Sequence, residues 1–373
     1  MYLNSLKDQT SMREIRIALA AFKQHNGPHA LEHAYDQAVD RIESQPRNLH
    51  QIATKVICWT TRAIEPPTLS ELQHDLAVEP GDTDSTSLAG EEPMVVRLIH
   101  FTTQEYFQRP SKSVQSFGDM KSFLSRVCVT YISFSAFSNI ETSKIWEFSD
   151  LIKRYPLLPY ASTAWGIHAA HDAQLSDEVA EFLPDESKLE IIERMTYKYK
   201  APFPPSDGNG LHCAAFYDIL GAIDTFCGAN TNELDSHRQT PLYYACQGGH
   251  TSVVQRLLQY GANTCQSSQM NSPLHAAAQA GDLIGATLRK AFDNTNVSTY
   301  FWMTPLFLAS TLGFTGMAEL LISYGANLDT QSPDGQTAMT IASKTGLEDM
   351  IKLLIAAKSV NGSGTSAQIK NDR

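Results

Sequence analysis

The chain has 373 residues, 42% hydrophobic and 18% charged, a mix that suits a folded protein of two or three domains. Its 40 acidic residues outnumber its 29 basic ones, and a net charge of −11 repels phosphate backbones and anionic lipid, so nucleic acid and membrane surfaces are poor partners. No apolar run reaches the ~18 residues of a membrane span, there is no signal h-region, and six cysteines without a CxxC pair read as reduced thiols in a cytoplasmic protein, with the nucleus as the alternative.

Residues 1–47 read as a helical segment. MREIRIALAAF from Met12 places Ile15, Leu19 and Phe22 on one face, and Ala34, Ala38 and Ile42 repeat the pattern after a break at Gly27 and Pro28. His25, His29 and His33 stand four apart, the spacing of ligands on one helix face. The Gly-Pro break and the lack of a cysteine or carboxylate cluster argue for solvated histidines, and no metal site is expected.

Residues 48–115 have the element order of a winged-helix-like domain. A helix in IATKVICWTTRAI from Ile52 is stopped by Pro66 and Pro67, Thr68 or Ser70 caps LSELQHDLAV, MVVRLIHF from Met94 reads as a strand, and Thr102 or Thr103 caps QEYFQR. Four basic residues face nine acidic ones between Gln51 and Pro110, which argues against DNA as the ligand.

The segments LNSLKDQTSMREIRIAL, AYDQAVDRIESQ, ELQHDLAVEPGD, VVRLIHFTTQEYFQR and YPLLPYASTAWGIHA, in that order, resemble the region between the NACHT ATPase and the ankyrin array of fungal NOD-like receptors. The resemblance covers residues 2–171 and implies a winged helix similar to one named after GPI inositol-deacylase. This chain has only GDTDSTSLAGEEP between Pro80 and Met94, where that family has a longer stretch. It also has no GxxxxGK[ST] loop and no GxSxG elbow, so neither ATP hydrolysis nor ester hydrolysis is carried over, and no cofactor is expected. Residues 116–204 read as a helical bridge, where His168 and His171 beside Trp165 suit packing and hydrogen bonding. Pro202, Pro204, Pro205 and Gly208 mark a hinge.

From residue 205 to 358 one phrase recurs: NGLH from Asn209, TPLY from Thr240, SPLH from Ser272, TPLF from Thr304 and TAMT from Thr337, with third residues 31, 32, 32 and 33 apart. Thr240, Ser272, Thr304 and Thr337 suit helix caps, and Pro241, Pro273 and Pro305 suit the first helical position. Small residues follow, then Gly249, Gly281, Gly313 and Gly346 as left-handed exits, then a second apolar helix and, at Gly228, Gly261 and Gly325, a GAN turn. The block resembles the ankyrin repeat family, in which His212 and His275 tie neighbouring repeats together. The family's loop glycine survives only at Gly335. Arg238, Met270 and Trp302 replace it, each at a cost of about 1 kcal/mol where the turn keeps positive φ. In the third unit KAFDNTNVSTYFW from Lys290 replaces the GAN turn, which implies a short second helix and an irregular loop. Residues 359–373 read as a tail without order.

The fold expected is mainly α: a helical and winged-helix amino-terminal region followed by an α-solenoid of about five ankyrin repeats. The function expected is non-enzymatic protein binding in NOD-like-receptor-type signalling. In the alternative the chain is a truncated or split receptor of the STAND class, docking on a NACHT module in trans. The expected contact residues are His237, Arg238, Gln269, Met270, Tyr300 and Trp302 at loop tips, with Tyr244 and Gln247 on the inner helix.

Overall fold

A computed structural model describes residues 36, 39–76, 78, 120–137, 147–172, 174–199, 208–228, 231–264, 272–281, 296 and 303–368. Two compact units divide the chain, one made of Met1–Phe134 with Glu141–Leu158, the other of Ser135–Ile140 with Pro159–Arg373. Among the described residues there are helices and no β-strand.

In the first unit α1 (Arg47–Arg62) begins five positions before the Ile52 expected from periodicity. Pro46 at its cap position lies at φ −52, so the helix starts where proline's fixed φ permits. It ends before Ala63, extended at ψ 142 and short of Pro66. Thr68 then opens α2 (Leu69–Leu76) with a reciprocal capping box: its hydroxyl accepts the Glu71 amide at 3.2 Å, and Glu71 accepts the Thr68 amide at 2.6 Å. Both helices are as expected for this stretch. The strand at MVVRLIHF and the helix QEYFQR lie outside the described residues, as do His25, His29 and His33. Helices α3 (Met120–Ile132) and α2 meet through His74 Nδ1, 3.0 Å from the Tyr131 hydroxyl, within a core that includes Trp59, Leu72, Leu124 and Phe134. Helix α4 (Glu147–Arg154) follows.

The second unit runs through α5 (Leu158–Ala170, within it from Pro159), α6 (Asp177–Phe182) and α7 (Glu186–Tyr199) into the repeats. Trp165, fully buried on α5, meets Phe182 edge-on at 5.1 Å and Tyr217 of the first repeat at 5.2 Å. Gly166 is the neighbour that lets Tyr217 in, because a Cβ there would lie 2.3–2.6 Å from its ring. His168 Nε2 lies 2.8 Å from the Tyr160 hydroxyl, and His171 Nδ1 donates to the Ile167 carbonyl at 2.7 Å, so both are structural hydrogen-bonding groups, as expected.

The repeats are α8 (Gly210–Tyr217) with α9 (Leu220–Phe226), α10 (Pro241–Gly248) with α11 (Thr251–Gln259), α12 (Pro273–Ala280), α13 (Pro305–Leu312) with α14 (Thr315–Ser323), and α15 (Ala338–Thr345) with α16 (Glu348–Gln368). Inner helices α8, α10, α12, α13 and α15 pack in sequence order; α11 packs on α9, and α16 on α14. Close approach is possible because Ala214, Ala245, Ala277, Ala309 and Ala342 occupy one register, all fully buried. Leu211, Leu242, Leu274 and Leu306 are buried beside them, while Met339 is half-buried. Helix α16 continues past Ser359, where a tail without order is expected. Turns packed on α14 supply the nucleus, and each later residue adds a backbone hydrogen bond even through Gly362 and Gly364.

Candidate protein-interaction surface

Each inner helix starts from a cap that fixes where the preceding loop points. The Thr240 hydroxyl accepts the Tyr243 amide at 3.3 Å, Thr304 accepts Phe307 at 3.2 Å, and Thr337 accepts Thr340 at 3.3 Å. Asn209 does the same for Leu211 and His212, at 3.0 and 3.2 Å. The first phrase reads NGLH because the Leu183 carbonyl would lie 2.3 Å from any Cβ at Gly210. Exits follow in left-handed backbone at Gly249, Gly281, Gly313 and Gly346. The first unit uses Asp218 instead, at φ 64, a residue type that tolerates this region. Gly261 and Gly325 have positive φ in the GAN turns, whereas Gly228 does not.

The two tetrad histidines tie repeats together. His212 Nε2 lies 3.2 Å from the Gln239 carbonyl and its Nδ1 2.8 Å from Asn209 Oδ1. His275 accepts the Ser272 amide on Nδ1 at 3.2 Å and donates from Nε2 to the Met303 carbonyl at 2.9 Å. Desolvation by burial is the largest influence on His212 and lowers its pKa. Two asparagines add a second tie. Asn232 Oδ1 accepts the Asn263 amide at 2.6 Å while its Nδ2 donates to the Gly261 carbonyl at 3.3 Å. Asn296 repeats this with Asn327 and Gly325, at 2.7 and 3.5 Å. These pairs run across adjacent units and set the spacing of the loops.

The loop of residues 235–239 shows how a tip is presented. The Asp235 amide donates to the Gln239 carbonyl at 3.0 Å, and the Arg238 amide donates to the Asp235 carbonyl at 2.9 Å. Buried Asp235 uses both carboxylate oxygens: Oδ1 accepts the Gln239 amide at 2.7 Å, and Oδ2 accepts the Tyr244 hydroxyl at 2.5 Å. Between these anchors Ser236, His237 and Arg238 are exposed, and Arg238 is left-handed at φ 59. The last loop has the same frame. Ser332 bonds Gln336 through amide and hydroxyl, at 2.9 and 3.1 Å, and Gly335 at φ 71 stands where Arg238 stands.

Of the expected contact residues, His237 and Arg238 are brought together at this tip and Gln247 is exposed on α10. Tyr244 is only 8% exposed, and its ring meets those of Tyr243, His212 and Phe216 edge-on, so it acts beneath the surface as a support for the loop. Gln269, Met270, Tyr300 and Trp302 lie outside the described residues, as does the irregular loop after Lys290 apart from Asn296. Sequence reasoning missed Asp235, although a signal exists: Asp235, Ser267, Thr299 and Ser332 each stand five residues before a cap, all with a short oxygen-bearing side chain. The bridging asparagines also left a trace, the dipeptide Thr-Asn at 231–232 and again at 295–296.

A groove of about 410 Å³ opens between α7 and the first repeat, lined by Glu186, Glu190, Glu193 and Glu233 with Asn209 and His212. Its one thiol, Cys213, is pushed up to about 12 by burial, so it stays protonated and is no nucleophile. Cys58, Cys128, Cys213, Cys227 and Cys246 are thiols outside any disulfide. Among the described residues no three metal-ligating side chains are grouped to hold an ion, and no helix is long and apolar enough to cross a membrane.

Comparison with known proteins agrees with this geometry. Over 151 residues the chain is 27% identical to the B-cell lymphoma 3 protein homolog of Mus musculus, covering 39% of this chain and 32% of that protein. It is 36% identical over 106 residues to the Neurogenic locus Notch protein of Drosophila melanogaster, covering 27% and 4%. With the transient receptor potential cation channel subfamily A member 1 of Homo sapiens it shares 32% identity over 126 residues, covering 32% and 11%. The chain thus spans a third or less of the length of these relatives. Residues 211–288 and 283–363 match the family model for ankyrin repeats (3 copies), and this part of the chain is an ankyrin-repeat array.

Proposed function

We propose that the chain is a non-enzymatic binding protein whose ankyrin array grips a partner protein through its loop tips and the exposed face of its inner helices. One observation carries the reading. Arg238 is held in left-handed backbone, where glycine costs less, by a loop whose buried Asp235 anchors both sides of the tip. A bulky cation kept in strained backbone at an exposed tip is what selection for contact, rather than for stability, leaves behind. His237 beside it and Gln247 on α10 extend the surface, and Gln269, Met270, Tyr300 and Trp302 complete the proposed contact set.

The test is capture with the full chain, identification and purification of the captured protein, and titration of that protein against wild type and R238A. Arginine at a contact centre gives a loss of roughly 30-fold or more in affinity. Equal affinity for wild type, R238A and H237A removes this tip from the site.

The likeness of residues 2–171 to the region preceding the array in NOD-like receptors supports a place in that type of signalling, in the cytoplasm or nucleus. In the alternative reading those residues dock on a NACHT module in trans. Mixing the purified chain with a NACHT module separates the two, because only docking gives a complex that survives deletion of the tip contacts.

A further inference from the structure

Four serines or threonines in the chain precede a proline: Thr240, Ser272, Thr304 and Ser332. The first three are helix caps at 1%, 3% and 4% exposure, beyond the reach of a modifying enzyme unless a repeat unfolds. Ser332 differs. It opens a β-turn, Ser332-Pro333-Asp334-Gly335, closed by the Gly335 amide on the Ser332 carbonyl at 2.8 Å, with Gln331, Pro333, Asp334 and Gly335 all exposed. Pro333 disfavours helical backbone at Ser332 and biases it toward the extended form that a kinase cleft accepts.

We propose that Ser332 is the acceptor of a proline-directed serine/threonine kinase, which sets a phosphate on the tip of the last repeat loop. In the transfer, Ser332 Oγ attacks the γ-phosphorus of ATP. The new O–P bond forms as the bond to the β,γ-bridging oxygen breaks, ADP leaves, and the hydroxyl proton passes to the kinase's carboxylate base.

The second unit shows why the fold tolerates an anion here. Asp235 holds the same register as Ser332, five residues before a cap, and its carboxylate accepts the Gln239 amide just as Ser332 Oγ accepts that of Gln336. A phosphoester oxygen keeps that acceptor role. The added −1.5 to −2 charge sits beside exposed Asp334, so the modified tip attracts cationic surfaces and repels acidic ones without unfolding the repeat.

The experiment incubates the full chain with ATP, Mg²⁺ and a proline-directed kinase of the mitogen-activated type, then maps phosphate by mass spectrometry. Expected is one phosphate on Ser332, lost in S332A and lost in P333A, which retains the hydroxyl. No uptake while a Ser-Pro control peptide is phosphorylated, uptake unchanged in S332A or P333A, or phosphate on Thr240, Ser272 or Thr304 overturns the proposal. None of these readouts depends on the array's partner, so they stand apart from the binding test.

Discussion

The Tyr244 hydroxyl donates to Asp235 Oδ2 at 2.5 Å, linking the first turn of an inner helix to the loop that projects His237 and Arg238. Burial, the largest influence, raises the Tyr244 pKa, and the Asp235 carboxylate raises it further, so the phenol remains a donor. The loop is thereby stiffened from beneath. Removing only the hydroxyl in Y244F deletes one charge-assisted bond and is expected to cost about 1.5–3 kcal/mol in urea unfolding. D235A removes the acceptor for two donors at once and costs more. A double-mutant cycle with no coupling between positions 235 and 244 would show that the bond does not form in solution.

Arg238 predicts a divergence of stability and binding. R238G relieves positive-φ strain and is expected to stabilise the array by about 1 kcal/mol while abolishing the tip's contribution to partner affinity. Urea midpoints and binding titrations on one protein preparation check both halves. A destabilised R238G contradicts the strain assigned to this turn.

Gly166 is a packing glycine. G166A drives a methyl into the Tyr217 ring and is expected to cost about 1–3 kcal/mol, since neither α5 nor the first repeat can retreat from a buried aromatic cluster. G228A, where a Cβ meets nothing within 4 Å among the described residues, is the control and is expected to be close to neutral in thermal melts.

Acid destabilises the second unit through His168. Burial, aided by the neighbouring His171, pushes its pKa down from 6.5 to about 4 in the folded chain. Above pH 6.5 neither state holds the extra proton and the contribution is fully present. Between 6.5 and about 4 the unfolded chain binds a proton that the folded chain refuses, so stability falls, by about 3 kcal/mol at the lower end. Urea midpoints across this range should slope downward in wild type and less steeply in H168Q. Equal slopes in the two proteins would remove His168 as the cause.

Legibility in the sequence followed how local each feature is. Caps at Thr240, Thr304 and Thr337 and exits at Gly249, Gly281, Gly313 and Gly346 are fixed by residues within a few positions of each other, so their spacing alone located the inner helices. The start of α1 was less legible, because Asn48, Leu49 and His50 carry no clear period and only Pro46 marks the boundary. Asp218 was missed as an exit because aspartate tolerates left-handed backbone without demanding it. Tyr244 was read as a surface aromatic, and its own sequence neighbourhood could not reveal that Asp235 nine residues earlier would fold back beneath it.

That the carboxy-terminal half is a stack of helical hairpins could be read from residue spacing, since units repeating every 31 to 33 residues with capping, small-residue and exit positions in register cannot bury their apolar faces alone and must stack. Which polar side chains serve the stack and which are left to face outward emerges only from the packed fold. His212, His275, Asn232 and Asn296 reach carbonyls and amides a full repeat away, and such partners are adjacent only after the units have packed.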